Sequence, residues 1–190
     1  MPYLRFYTEE KKQSDDIIES VINSIKKQTL NVVLVGMPGA GKTTVGKMVA
    51  NLLGKEFIDT DLLIEQRENK KIAEIFKSNG EEYFRKIESE LLSKVGVLSG
   101  KVISTGGGVV KNKDNYFSLK QNGVIIWIDR NLDELASEGR PLSKDKETIK
   151  KLYNERKDSY ALFADGKIIN DGDLDLIAKG VKEFYENFSD

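Results

Sequence analysis

The sequence of 190 residues predicts an α/β fold, a parallel sheet with helices on both faces. Three observations predict it. Short apolar runs alternate with segments of helical period along the chain. The first full run, "LNVVLV" (30–35), is continuously apolar, as befits a strand buried on both faces. Residues able to do chemistry stand directly after strand candidates, and in open α/β sheets a ligand sits beyond the carboxyl ends of the strands.

Taken in order, "SDDIIESVINSIKKQ" (14–28) reads as a short amphipathic helix. Ile17, Ile18, Val21, Ile22 and Ile25 form one stripe, with acidic residues at its start and lysines at its end. Residues 1–29 are read as an N-terminal extension, and 30–190 as one domain. The stripe is expected to pack on that domain, because apolar surface needs cover, with self-association or the remnant of a fused neighbour as the alternatives. Strands are expected at 30–35, 56–59 ("EFID"), 101–105 ("KVIST"), 123–129 ("GVIIWID") and 167–170 ("KIIN"). Helices are expected at 42–53, at 61–95 with breaks near Lys70 and Gly80, and at 113–121, 146–162 and 173–188.

Composition removes several chemistries. Lys and Arg number 30 against 31 Asp and Glu, so no bulk positive charge suits a nucleic acid. Without Cys or His there is no disulfide, thiolate metal site or Ser-His-Asp triad. Catalysis must use carboxylates, Lys, Arg, hydroxyls, backbone amides and a hard cation. No apolar run reaches the roughly 18 residues of a membrane span. The acidic N-terminus lacks the apolar core of a signal peptide, so the chain is expected to be soluble and cytoplasmic.

"GMPGAGKTT" (36–44) follows the first strand and satisfies the phosphate-loop pattern through Gly36, Gly41, Lys42 and Thr43. In such a loop the backbone of Gly39, Ala40 and Gly41 and the helix start at Thr44 cradle phosphates. Lys42 reaches the outer phosphates, and Thr43 offers a hydroxyl to Mg²⁺. Many nucleotide hydrolases and binding modules share this loop, so a second substrate has to be found.

After the second strand, "DTD" places Asp59 and Asp61 on one face of an extended chain. One carboxylate could hold Mg²⁺ through water and the other an acceptor hydroxyl. One of them could also cap the following helix. Arg85 and Glu88 lie one helical turn apart, a spacing often seen in surface ion pairs of little consequence. Three consecutive glycines, Gly106, Gly107 and Gly108, follow the third strand at a cost in backbone entropy.

Together "GMPGAGKTTVGK", "FIDTDLLIEQ", "NGEEYFRKIE", "STGGGVV", "GRPL" and "ERKDSYALFAD" resemble the motifs of shikimate kinases in order and near-spacing, over about residues 31–188. The resemblance implies a three-layer P-loop kinase fold with a five-stranded parallel sheet and a mobile lid at about 138–146. It implies transfer of a phosphoryl group from ATP to the 3-hydroxyl of shikimate, with Mg²⁺. The roles it implies are Lys42 on the phosphates, Thr43 on Mg²⁺, Asp59 on a Mg²⁺-bound water and Asp61 on the shikimate hydroxyls. Arg85 and Arg156 would bind the carboxylate, Gly106 to Gly108 would line the sugar-like ring, and Arg140 would close from the lid. On this reading Gly107→Val should damage shikimate use far more than nucleotide binding.

The chain departs from the pattern in two places. "IDRNLDELASEG", between Trp127 and Arg140, is short and lacks the arginine that commonly stacks on adenine. Base selectivity is therefore expected to be loose, or to use "IIND" (168–171). The N-terminal extension is the second departure. A monomer is expected, with no nucleic-acid or membrane partner. Gluconate or nucleoside monophosphate kinases, and a silent nucleotide-binding relative, are the alternatives.

Overall fold

The computed structural model describes residues 3–135 and 146–189, with side chains described over 11–135 and 146–188. Its strands are β1 (Asn31–Val35), β2 (Glu56–Asp59), β3 (Lys101–Ser104), β4 (Gly123–Asp129) and β5 (Gly166–Ile169), each within a residue of the span read from sequence. They form one parallel sheet in the order β2-β3-β1-β4-β5. β1 and β4 are buried along their whole length, which is why their sequences are apolar without alternation.

The helices are α1 (Tyr3–Thr29), α2 (Lys42–Leu53), α3 (Thr60–Glu68), α4 (Ile72–Val95), α5 (Asp114–Lys120), α6 (Lys146–Phe163) and α7 (Leu174–Ser189). α2 packs against α7, and α4 against α5; with this strand order the general right-handedness of parallel crossovers sets the two pairs on opposite faces of the sheet. The breaks expected near Lys70 and Gly80 are present. Asn69 ends α3 in the left-handed region, and Gly80 kinks α4 at φ 82°. α6 turns Ile149, Arg156, Tyr160 and Phe163 inward at near-heptad spacing. Tyr160 stacks on Trp127 of β4, ring centres 5.7 Å apart.

Two features differ from the sequence reading. α1 runs to Tyr3 rather than beginning at residue 14. Its stripe is not packed on the domain: Ile17, Ile18, Val21, Ile22 and Ile25 are each 46–58% exposed. No helix among the described residues is long and apolar enough to cross a membrane.

Parallel pairing sets the site. The register aligns Leu34, Ser104 and Asp59 in one row, so β1, β3 and β2 end side by side. The phosphate loop, the three glycines and the Asp59–Asp61 turn leave the sheet together.

Candidate active site

A cleft of about 810 Å³ opens at these strand ends, within the usual range for a ligand site. Its walls include Gly39, Gly41, Lys42, Thr43, Thr44, Asp59, Asp61, Arg85, Gly106, Gly107, Gly108 and Arg156. The sequence-derived residues among those described thus converge, with one exception. Ala40 is fully buried, and its carbonyl accepts a hydrogen bond from Asn170 Nδ2 at 2.8 Å. Arg140 and the segment 138–145 of the expected lid lie outside the described residues. Asn170, within the "IIND" considered for base recognition, braces the phosphate loop through that bond.

Gly41 sits at φ 90°, in the left-handed region, at the N-cap of α2. A side chain there would be strained and would run into Asn170. Lys42 is buried, its ammonium donating to the carbonyls of Gly36 and Met37 at 2.9 Å each. The cation therefore already lies inside the loop where phosphate oxygens would gather.

Thr43 Oγ1 donates to Asp59 Oδ2 at 2.7 Å. Asp59 Oδ1 accepts from the backbone amides of Asp61 and Leu62, so Asp59 is the residue that caps α3. Asp61 is left with Oδ1 buried and unpartnered. Its carboxyl is pushed up to about 6, first by burial, then by the charge of Glu88, with Asp59 adding to both. Lys42 and Arg85 pull the other way.

Arg85 lies across the cleft on α4. Its guanidinium donates to Glu88 Oε2 at 2.7 Å and to Glu81 Oε1 at 3.2 Å, and it rests over the Phe84 ring at 5.1 Å. Glu88 is 1% exposed with Oε1 unpartnered, and burial raises its pKa despite Arg85. Such a buried pair is no solvated ion pair. From α6, Arg156 Nη1 donates to the Gly107 carbonyl at 3.0 Å. Tyr160 Oη donates to the same carbonyl at 2.5 Å, and burial pushes its phenol up to about 12.

The glycines prove to make room for side chains. A Cβ on Gly106 would meet Asp61 Oδ1 at 2.6 Å and Glu88 Oε1 at 2.9 Å. One on Gly107 would strike the Pro38 ring at 2.5 Å, and one on Gly108 the Arg85 guanidinium. None of the three has a positive φ. They are needed because the site's carboxylates, its arginine and the phosphate loop all close on this backbone. That changes the expectation for Gly107→Val, since the displaced neighbour belongs to the phosphate loop.

Sequence reading did not single out Ser104, Phe76, Arg130 or Tyr160. Ser104, Phe76 and Arg130 line the cleft, and Tyr160 fixes its glycine wall. Ser104 and Arg130 follow or end strands, which was the available signal. Phe76 and Tyr160 read only as apolar positions on helices.

A sequence model of the shikimate kinase family matches residues 38–186, from within the phosphate loop to near the end of α7. The chain belongs to the shikimate kinase family. Shikimate kinase of Clostridium botulinum (strain Alaska E43 / Type E3) is 42% identical over 161 residues, covering 82% of this chain and 97% of that protein. Shikimate kinase of Clostridium beijerinckii is 45% identical over 157 residues, covering 80% and 92%. Among solved structures, shikimate kinase from Acinetobacter baumannii in complex with shikimate superposes with a TM-score of 0.81. It is 30% identical and covers 87% of this chain and 98% of that one. A gluconokinase from Sinorhizobium meliloti, 11% identical with a TM-score of 0.53, shares the fold alone. As a shikimate kinase family member the chain is long, for α1 precedes the matched region.

Proposed function

We propose that this chain transfers the γ-phosphoryl group of ATP to the 3-hydroxyl of shikimate, giving shikimate 3-phosphate and ADP. The observation that carries the reading is a cleft in which a phosphate loop faces an unpartnered carboxylate oxygen and two held arginines. An anionic polyhydroxy acid needs those groups: arginine forks for its carboxylate, and an acceptor for its hydroxyls.

Lys42 holds the outer phosphates in place of the Gly36 and Met37 carbonyls. Arg85 and Arg156 bind the substrate carboxylate, and Glu88 sets the angle of Arg85. Asp61 Oδ1 accepts from the shikimate hydroxyls and orients the 3-hydroxyl toward the γ-phosphorus. The new O–P bond forms as the bond to the β-phosphate oxygen breaks, and ADP leaves. Asp61 takes the hydroxyl proton as the bond forms and returns it to water. Phosphoryl transfer of this kind depends more on positioning and cations than on a strong base. Arg140 is assigned to closing over the phosphates from the lid.

Thr43 and Asp59, already paired at 2.7 Å, fit Mg²⁺, which takes few protein oxygens and keeps its waters. When bound, Mg²⁺ supplies charge neutralisation on the β- and γ-phosphate oxygens.

ADP release with ATP, Mg²⁺ and a panel of shikimate, gluconate and nucleoside monophosphates tests the assignment. Turnover is expected with shikimate alone. No turnover with shikimate, or equal turnover with gluconate, contradicts it.

A further inference from the structure

The stripe on α1 is bare although the helix itself is held. Lys55 Nζ donates to the carbonyls of Lys27, Gln28 and Leu30 at 2.9–3.1 Å, and Tyr185 Oη to those of Lys27 and Leu30 at 2.7 and 2.9 Å. These bonds fix which way the helix faces. The face turned to the body is polar: Ser20, Asn23, Ser24 and Lys27 share a cleft with Lys55 and Tyr185. The apolar stripe points away, each of its five side chains about half exposed. A contiguous apolar patch of this kind on a soluble protein marks an interaction site.

We propose that the stripe pairs with α1 of a second copy of this chain, the helices antiparallel about a two-fold axis near Val21 and Ile22. The charge pattern selects this occupant. Asp15 flanks the stripe near one end and Lys26 flanks it on the same side near the other, whereas Lys27 faces the body. Antiparallel pairing sets Asp15 of each copy beside Lys26 of its partner, whereas parallel pairing would set like beside like. Ile18 then covers Ile25 in both directions, as a closed two-fold interface requires. The family match begins only at residue 38, so the pairing adds an assembly to a domain whose matched part does not include it.

Sedimentation of the full chain up to about 100 µM should show a monomer–dimer equilibrium that weakens with salt. Ile18→Glu with Ile22→Glu should be monomeric, with shikimate-dependent ADP release unchanged. Asp15→Lys should weaken the dimer, and adding Lys26→Glu should restore it. The chain has no cysteine, so cross-linking reports the register cleanly. Under mild oxidation Ile22→Cys should link to itself; Ile25→Cys should link only when mixed with Ile18→Cys. A monomer throughout overturns the proposal. So does a dimer that survives Ile18→Glu with Ile22→Glu, or Ile25→Cys linking to itself. Monomers that instead bind a different protein through the stripe overturn it as well.

Discussion

A buried carboxyl oxygen without a partner destabilises a fold, and Asp61 Oδ1 is such an atom beside Glu88 Oε1. The Asp61 pKa, raised from 3.8 to about 6, gives the direction of the effect with pH. Between those values the folded chain keeps a proton that the unfolded chain has lost, so stability falls as pH rises through that window. Asp61→Asn should therefore raise the melting temperature at neutral pH, by no more than about 3 kcal/mol in stability. It should lower kcat by about 100-fold to 10,000-fold and abolish an acid limb in kcat/KM near pH 6. An unchanged acid limb in the variant would remove Asp61 from that role. Arg85→Ala should raise the KM for shikimate about 10-fold to 100-fold and leave that for ATP within about twofold. A rise confined to ATP would show Arg85 to be misplaced. Gly107→Val should weaken both substrates, because Pro38 stands 2.5 Å from the added carbon. Shikimate loss with normal ATP kinetics would contradict that. The residue types of the site were legible in the sequence, but their division of labour was not. Asp59 and Asp61 are equally able to cap α3, and only the Thr43 contact and the amide geometry assign the cap to Asp59.

At the scale of elements, strands and helices follow from local chemistry. β1 and β4 are continuous apolar runs, Gly80 marks its own kink, and Gly41 marks the start of α2. α1 was half legible, because "TEEKKQ" (8–13) extends the helix without continuing the apolar stripe. Those six residues are polar, and helix propensity rather than apolar period is what their sequence offers. Tyr160 shows the other limit. Its partner is a carbonyl on the far side of the chain, and spacing along α6 cannot reveal that. The segment between Trp127 and Arg140 carries a prediction from sequence: lacking an adenine-stacking arginine, it should allow turnover with GTP within about tenfold of that with ATP. A strict ATP requirement in steady-state kinetics would show that another group reads the base.

For the whole molecule, one sheet edge collects groups from distant parts of the chain: the loop after β1, the turn after β2, the glycines after β3, and arginines from α4 and α6. Parallel order and right-handed crossovers make that convergence a consequence of topology, which is why fold and site were readable together. Bareness on α1 was not readable, since the same stripe suits packing on a domain or pairing with a copy. In the proposed function this edge joins a nucleotide phosphate to a hydroxyl of shikimate. Phosphorus NMR of the chain mixed with ATP, Mg²⁺ and shikimate tests it directly. ADP and a phosphate monoester at the 3-position are expected in equal amounts. ADP with inorganic phosphate alone, or a monoester at another hydroxyl, would contradict it.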